Sequence, residues 1–561
     1  MASVVGKKIK GGTYYYLVES ARVGGKPRIV SQRYLGSAAD IAAAMDGATV
    51  APARTRHLAF GDVAAVWGML RRLRVSETID AVLGDRRSDA AASVGTYLAL
   101  ATLNRVVAPC SKLRFAHWWA GTAADRWVKL PAAALDHRRF WDAMHAVDTA
   151  ALVAAERRIT ATMVAEFGLD LSGLALDMTN FATFIDSTNQ AAPIAQRGHA
   201  KQKRTDLRLV GLGLVVTRDG GVPVVSHPYP GNAPDVTQFP TVIEELAGRY
   251  TGLDAERAGL TVVFDAGQNS EDNFARLAEL RLHHVGSLPP ADHPQLLAIP
   301  ARRHKPVDPD RFGGLTALDT TADALGARRR VVLTHSPTLH AAQARGFDQT
   351  LAKATRALDE LAATLARGRA RRDRPAVEAA IARITRPRWL RRVLSTTLTG
   401  DRPTDLRLTH RVDARARRAL EREIFGKRIL TTDHADWPVA DVVAAYRSQS
   451  DAEAGFRQLK DPQVVSFSPM FHWTDPHIRV HVFYCVLALA VAHLMRREAA
   501  RAGLPLSVRE LLGHLAGIQE TVLLYPSTGG RPRARRMLTE MNPNQTRLFD
   551  LFTLDRYAPR S

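Results

Sequence analysis

The chain has 561 residues, of which 46% are hydrophobic and 24% are charged, which excludes a disordered or fibrous protein and indicates a soluble, multidomain one. Its 77 Lys and Arg against 56 Asp and Glu give a net charge of +21, which favours a polyanionic partner such as nucleic acid. The two cysteines are too few and too far apart for a disulfide framework, so we expect a reducing compartment, the cytoplasm.

The first 168 residues divide into a β-rich start and a helical segment. Residues 12–36 are rich in Tyr, Val and Ile around a Gly-Gly pair, which predicts two strands joined by a turn. Residues 55–165 are rich in Ala and Leu at helical spacing, which predicts a helical domain.

Residues 170–290 change to alternating strands and helices. The predicted order is strand, strand, strand, helix, strand, helix, strand, with the first hairpin turning at Asp219-Gly220-Gly221. This order predicts an α/β domain. Further on, residues 480–495 are strongly apolar but shorter than the roughly 20 residues of a membrane span, so we expect a buried core helix.

Two aspartates follow apolar strand segments directly. Asp177 ends "LALD" and Asp265 ends "VVFD". A single aspartate in this position is most often a turn or helix cap. Two of them at the carboxyl ends of strands in an open α/β sheet can face one pocket, and paired carboxylates are ligands that Mg²⁺ prefers.

The segment "YRSQSDAEAGFRQLK" adds a third candidate acid. Seven residues return a helix to within roughly 20° of its starting direction, so one helix over 446–460 would align Tyr446, Glu453 and Lys460. Gln449 and Arg457 lie at the edges of that stripe. A solvated helix face beside a core face explains the same pattern. The functional alternative is a metal-binding carboxylate between two phosphate contacts.

These residues resemble the DDE transposases of bacterial insertion sequences, and more closely the cut-and-paste group with a Tyr-Arg-Glu-Lys signature. Tyr446, Glu453 and Lys460 match the signature at full spacing. Gln449 replaces its Arg, and Arg457 is the candidate to compensate for the lost charge. Further similarity over about 170–500 lies in "ALDMTN", "RGHAKQKRTDLRLVGLGLVV", "HPYPGNAPD", "VVFDAG" and "FGKRILTTD".

The resemblance implies an α/β fold with an RNase H-like mixed sheet, interrupted between the second and third acids by an inserted mixed α/β domain. Asp265 and Glu453 are 188 residues apart, which leaves room for that insertion. The predicted domains are an N-terminal β-hairpin region 1–50, a helical domain 51–168 for DNA-end binding, a catalytic domain 169–300 and 431–500, an insertion 301–430, and a C-terminal basic extension 501–561.

The resemblance also implies the chemistry. Asp177, Asp265 and Glu453 would be catalytic and would bind Mg²⁺, with Mn²⁺ as an alternative. Tyr446, Gln449, Arg457 and Lys460 would contact DNA phosphates. The partners would be double-stranded DNA, at the transposon ends and at the target, and a second copy of the chain in a synaptic dimer. No membrane is implied, and the cytoplasmic protein would associate with the nucleoid.

Two other functions remain open from the sequence. One is an RNase H-like nuclease that cleaves DNA without joining strands. The other is a DNA-binding protein derived from a transposase that has lost its chemistry, which the replacement at Gln449 keeps open.

Overall fold

The structure is a computed structural model that describes residues 2–9, 11–23, 26–45, 51–84, 91–186, 188–198, 206–253, 259–367, 373–526 and 533–560. Part of the predicted basic loop, residues 199–205, lies outside the described residues, as does part of the basic segment near the C terminus.

More residues of the fold lie in helices than in strands. In chain order they are α1 Ala38–Met45, α2 Gly61–Arg72, α3 Val75–Leu83, α4 Val94–Val107, α5 Lys112–Trp119, α6 His137–His145, α7 Thr149–Phe167, α8 Asp235–Leu253, α9 Glu271–Glu279, α10 Pro294–Leu297, α11 Pro337–Ala366, α12 Arg374–Ile384, α13 Leu390–Val393, α14 Ala414–Ile424, α15 Val439–Arg447, α16 Gln449–Leu459, α17 Asp475–Arg501, α18 Val508–Ala516 and α19 Pro543–Leu551.

The strands form one large sheet and three small ones. They are β1 Ala2–Ile9, β2 Gly12–Val23, β3 Lys26–Ser37, β4 Arg54–Ala59, β5 Gly173–Thr183, β6 Arg208–Thr217, β7 Pro223–Pro230, β8 Thr261–Val263, β9 His283–Leu288, β10 Lys305–Pro306, β11 Thr316–Ala324, β12 Ala327–His335, β13 Leu394–Thr399, β14 Arg407–Val412, β15 Lys427–Thr432, β16 Gln519–Tyr525 and β17 Arg533–Leu538.

The large sheet is mixed, with the strand order β10-β11-β12-β15-β9-β8-β5-β6-β7. Strands β5, β6 and β7 pair antiparallel, whereas β8 is parallel to β5 and β9 is parallel to β8. The predicted order of elements over 170–290 is confirmed, as is the mixed α/β class. The RNase H-like arrangement stays a prediction.

Helices cover both faces of this sheet, which explains why its central strands are almost continuously apolar. In β6 every described residue after Arg208 is buried. One face packs on α8 and α9, and the other packs on a larger core that includes α2, α4, α15, α16 and α17. The sheet is therefore a buried platform between two helical layers.

Helix α17 is the central helix of the larger core. It is long and apolar enough to cross a membrane by length and composition, yet 94% of its most apolar window is buried inside the protein. It contacts α2, α4, α6, α7 and β7. The predicted buried core helix over 480–495 is therefore confirmed.

The segment predicted as an insertion is only partly separate from the large sheet. Strands β10, β11 and β12 extend that sheet beyond β15. Helices α11, α12 and α14 and the hairpin β13-β14 enclose a second core, which reaches the sheet through Val331, Leu333 and Ile429. The insertion thus contributes both sheet strands and a helical lobe.

The two ends of the chain contain structure that the sequence did not predict. Strand β1 pairs with β2 and makes the predicted N-terminal hairpin a three-stranded sheet. Its apolar alternation is weak because Lys7 and Lys8 interrupt it, so cross-strand pairing decides its conformation. In the predicted C-terminal extension, β16 pairs with both β4 and β17.

Arg497 of α17 holds the turn between β6 and β7 of the large sheet. It is 4% exposed, and its Nε and Nη2 donate to Asp219 Oδ2 at 2.7 and 2.5 Å. Its Nη1 also donates to the Phe167 carbonyl at 2.9 Å. The turn held in this way contains Gly220 and Gly221, whose φ angles of +89° and +64° favour glycine.

Arg497→Met should therefore lower the free energy of unfolding by about 3 kcal/mol, because it leaves the Asp219 carboxylate and the Gly168 carbonyl oxygen without the donor they share. Urea denaturation of the purified chain measures this. Arg501→Met is the matched control, since this side chain is 61% exposed and should cost less than about 1 kcal/mol. Equal effects of the two substitutions would contradict a brace at Arg497.

Candidate active site

The prediction that both aspartates end strands is wrong for Asp177, which is the fifth residue of β5 and lies well before its end at Thr183, whereas Asp265 follows β8 by two residues. The pairing of β5 with β8 nevertheless places the two aspartates at one level. The parallel register pairs Gly173 with Thr261 and Ala175 with Val263. Two residues further along each strand are Asp177 and Asp265, and the backbone of Asp265 is still extended, with φ −91° and ψ 175°. Neighbouring strands lie about 4.8 Å apart, so the two aspartates are side by side just beyond the last paired residues of β5 and β8.

Both aspartates also point to the same face of the sheet. Side chains alternate along a strand, so Asp177 shares a face with Ala175, and Asp265 shares a face with Val263. Ala175 and Val263 belong to the core that contains α15, α16 and α17, whereas Leu176 belongs to the core on the other side. The acids are therefore directed toward the layer of α15 and α16.

Each aspartate also makes a local backbone contact. Asp265 Oδ1 accepts a hydrogen bond from the Gly267 amide at 2.8 Å, which is the capping role expected of a lone strand-end aspartate. Asp177 Oδ1 accepts from the Met178 amide at 2.8 Å. These contacts orient the two carboxylates. They agree with the cap interpretation as well as with a functional one.

Glu453 of α16 faces the same region from above the sheet. It lines a cleft of about 590 Å³ together with Asp265, Tyr446 and Gln449. Asp177 is not part of the cleft lining, and its place beside Asp265 follows from the strand register. Helix α16 packs directly on β5 and β6, which brings Glu453 over the strand that carries Asp177.

Lys460, at the end of α16, contacts the strand of the first acid. Its Nζ donates to Thr179 Oγ1 at 2.9 Å and lies 5.3 Å from the centre of the Phe181 ring. Thr179 follows Asp177 by two residues, so both point to the same face of β5. The hydrogen bond to Thr179 thus holds the signature lysine over the part of β5 that carries Asp177.

The single helix predicted over 446–460 is wrong in detail. Helices α15 and α16 meet at Ser448, whose Oγ donates to the Ala445 carbonyl at 2.6 Å. Serine bonds locally to backbone in this way and interrupts a helix. Tyr446 and Glu453 nevertheless line the same cleft.

The two residues at the stripe edges have different surroundings. Gln449 is 7% exposed and lines the cleft. The Arg457 side chain is 71% exposed, lies 3.9 Å from Glu453 and does not line the cleft. The compensation expected from Arg457 therefore has no support in the cleft geometry, because its guanidinium is on the outer side of α16.

Sequence analysis missed two arginines in the cleft wall. Arg428 of β15 lies 5.6 Å from the centre of the Tyr446 ring, and Arg447 lies 4.6 Å from that of Phe312. Arg428 shares the acid-bearing face of the sheet, because it lies two residues before Leu430, which belongs to the larger core. The sequence could have indicated this residue, because in "FGKRILTTD" an arginine directly precedes the buried residues of a strand near the expected third acid.

A second cluster of metal-ligand types lies at the opposite edge of the sheet. His283, Asp433 and His434 offer ligand atoms that all lie within 4.8 Å of one another, and they are the only such group in the described part of the chain. His283 Nδ1 is 2.8 Å from Asp433 Oδ2, and His434 Nε2 is 2.8 Å from Thr261 Oγ1. These internal bonds tie the starts of β8 and β9 to the end of β15.

The family of transposase DDE domains matches residues 180–464, slightly more than half of the chain. The chain belongs to the DDE transposases. The match contains Asp265, Glu453 and Lys460 and begins three residues after Asp177. DDE transposase domains generally use divalent metal ions.

Comparisons beyond the family add little. No curated protein matches the chain. A cryo-EM structure of the piggyBac transposase synaptic complex with hairpin DNA is similar at 9% identity, covers 83% of this chain and 82% of that chain, and has a TM-score of 0.36. A likeness at that score carries no conclusion about this transposase.

His284, which follows His283 on β9, makes the stability of this transposase depend on pH. It is 4% exposed, and burial lowers the pKa of its imidazole to about 4. The unfolded chain, with a histidine pKa near 6.5, binds this proton first, so stability falls as the pH drops from about 6.5 toward 4.

At pH 5 this histidine should account for about 2 kcal/mol of lost stability relative to pH 7. His284→Leu should reduce the loss between pH 7 and pH 5 by that amount, as measured by urea denaturation at both values. His117→Leu, at an exposed position, is the control. An unchanged pH dependence in His284→Leu would show that His284 takes up its proton without cost in the folded state.

Proposed function

We propose that this transposase cleaves DNA at the ends of an insertion sequence and joins the released 3′-hydroxyl to a target strand. Two observations support the proposal. The parallel register aligns Asp177 with Asp265, and Glu453 lines the same cleft as Asp265. The family supplies the class of reaction, and the cleft supplies a place for it.

The donor set fits hard divalent cations. Asp177, Asp265 and Glu453 offer carboxylate oxygens on one face of the sheet and on the helix that covers it, and Mg²⁺ prefers such ligands together with water and phosphate oxygens, with Mn²⁺ as an alternative. In the described residues the three acids do not form a group whose ligand atoms all lie within 4.8 Å of one another, and the proposal places two ions about 4 Å apart between them. Bound ions would activate the attacking water and stabilise the departing 3′-oxygen.

No side chain of the protein forms a covalent bond in this proposal. In the first step a water oxygen bonds to the scissile phosphorus, and the bond from that phosphorus to the 3′-oxygen breaks. In the second step the 3′-hydroxyl attacks a target phosphorus and displaces its 3′-oxygen. Tyr446 therefore acts as a phosphate contact and not as a nucleophile.

The phosphate contacts proposed from the sequence divide into two groups. Lys460 and Tyr446 lie at or beside the acids, and Gln449 lines the cleft without a charge. Arg457 lies outside the cleft, so its proposed contact would be with a more distant phosphate. Arg428 adds a guanidinium to the cleft wall, which suits bidentate binding of a phosphate.

The remaining parts of the proposal concern partners and location. We place this transposase in the cytoplasm, associated with the nucleoid, where its partner is double-stranded DNA at the transposon ends and at the target. A synaptic complex with two copies of the chain would hold the two ends together. A nuclease without strand transfer is the main rival, and formation of joined product on end-bearing DNA distinguishes the two functions.

Asp265→Asn and Glu453→Gln should each reduce cleavage at least a thousandfold, because each removes a charged oxygen ligand from the proposed ion site. The substrate is linear DNA that carries the gene with its flanking sequence on both sides, in Mg²⁺. Glu360→Gln, at an exposed position on α11, is the control and should cleave normally. Normal cleavage by Asp265→Asn would end the proposed ion site.

Lys460→Ala should weaken binding to the same DNA and reduce the slope of log affinity against log salt by about 0.9, the value of one released phosphate contact. Fluorescence anisotropy over a KCl series, in EDTA to prevent cleavage, measures both quantities. Lys353→Ala on the exposed side of α11 should leave the slope as it is. An unchanged slope for Lys460→Ala would remove Lys460 from the phosphate contacts.

A further inference from the structure

The three-stranded sheet β1-β2-β3 lies apart from the hydrophobic cores. The described members of those cores begin at Leu58, and none comes from the sheet. Every residue of β1 is exposed, and so is β3 from Lys26 to Tyr34. Apolar side chains such as Val4, at 57%, and Ile29, at 54%, are therefore open to solvent. A sheet with this much exposed apolar surface indicates a binding partner.

The same sheet is strongly cationic. Its described residues include six exposed cations against the single carboxylate of Glu19, namely Lys7, Lys8, Arg22, Lys26, Arg28 and Arg33. Among the described residues, none of these six forms an ion pair with a carboxylate. Their charges therefore oppose the approach of a second copy of this sheet and favour a polyanion.

One face of the sheet carries groups that can read base edges. The register aligns Val5, Tyr16 and Tyr34 across the three strands, and the rings of Tyr16 and Tyr34 are 5.2 Å apart. Lys7 Nζ lies 5.0 Å from the centre of the Tyr16 ring and donates to Gln32 Oε1 at 2.9 Å. Gln pairs with adenine and Lys with guanine in the major groove, and apolar groups contact the thymine methyl.

The opposite face and the edge strands supply cations for phosphates. Val4, Leu17 and Arg33 align across this face by the same register, and Lys8 lies further along β1. The outer strands of a three-stranded sheet are roughly 10 Å apart, and the major groove of B-DNA is about 12 Å wide. Sheets of this kind are known readers of DNA grooves.

We propose that the sheet of residues 2–37 is a DNA-binding module of this transposase that enters the major groove of duplex DNA. The lysine, glutamine and tyrosine side chains of one face contact base edges, and the flanking cations contact backbone phosphates. The module rests on the proposed function only in that DNA is the substrate, and it is separate from the cleft of the acids. It assigns DNA recognition to the N-terminal sheet, whereas the sequence pointed to the helical segment 51–168.

The first test neutralises backbone contacts in the full-length chain. Lys8→Gln/Arg28→Gln/Arg33→Gln should weaken binding to duplex DNA more than tenfold at physiological salt and reduce the salt slope by about 2.7, or 0.9 for each lost phosphate contact. The probe is a 40-base-pair duplex taken from the DNA that flanks the gene, and anisotropy in EDTA reads binding without cleavage.

The matched control neutralises three exposed cations of α11, Arg345→Gln/Lys353→Gln/Arg356→Gln, with the same change in net charge. Its affinity and slope should change far less than those of the sheet variant. Equal losses in the two variants would mean that only net charge matters, and unchanged binding in the sheet variant would remove the sheet from DNA binding. Either result overturns the proposal.

The second test separates recognition from charge. Gln32→Ala should lower the preference for the flanking duplex over a scrambled duplex of equal composition about fivefold or more, at an unchanged salt slope. If instead light scattering shows that the sheet variants change the oligomeric state while DNA binding is normal, the sheet binds a second copy and the proposal is wrong. Because EDTA removes the chemistry, these outcomes are independent of whether Asp265 and Glu453 are catalytic.

Discussion

The relative position of Asp177 and Asp265 depends on the short parallel ladder between β5 and β8. Three paired residues on each strand set the register, and that register decides whether Asp177 and Asp265 stand side by side or on opposite faces. A slip of one residue would turn one aspartate into the core that packs on α8 and α9. The ladder is buried between helical layers. The turn that follows the neighbouring strand β6 is bonded to α17 through Asp219 and Arg497, so packed elements on both sides hold the two aspartates in position.

The cations of this transposase have different surroundings near the acids and in the N-terminal sheet. Near the acids, two of the cations contact neighbouring side chains: Lys460 donates to Thr179, and Arg428 lies against the Tyr446 ring. Far from the acids, the N-terminal sheet carries exposed cations without carboxylate partners among the described residues. The first arrangement suits positioning one phosphate, and the second suits long-range attraction and recognition of a duplex.

Much of the fold was predictable because its elements carry strong local signals. The apolar runs of β5, β6 and β8, the Asp-Gly-Gly turn and the long apolar stretch of α17 predict type and order from the residues alone. The features that were not predicted depend on contacts that leave no clear pattern in the sequence, some local and one distant. Strand β1 is specified by pairing with β2, the break at Ser448 by a local hydroxyl contact, and the cleft position of Arg428 by the packing of β15 beside β9. Spacing identified the acids as candidates, but only the sheet register relates Asp177 to Asp265.

Whether the three acids share an ion site can be measured by adding Fe²⁺ in place of Mg²⁺ to the full-length protein and mapping hydroxyl-radical cuts in its backbone after adding ascorbate and peroxide. Such cuts occur only near the bound iron. The account predicts cuts close to residues 177, 265 and 453, all suppressed together by excess Mg²⁺. Cuts confined to one of these segments, or concentrated at His283 and Asp433, would show that the acids do not share an ion site.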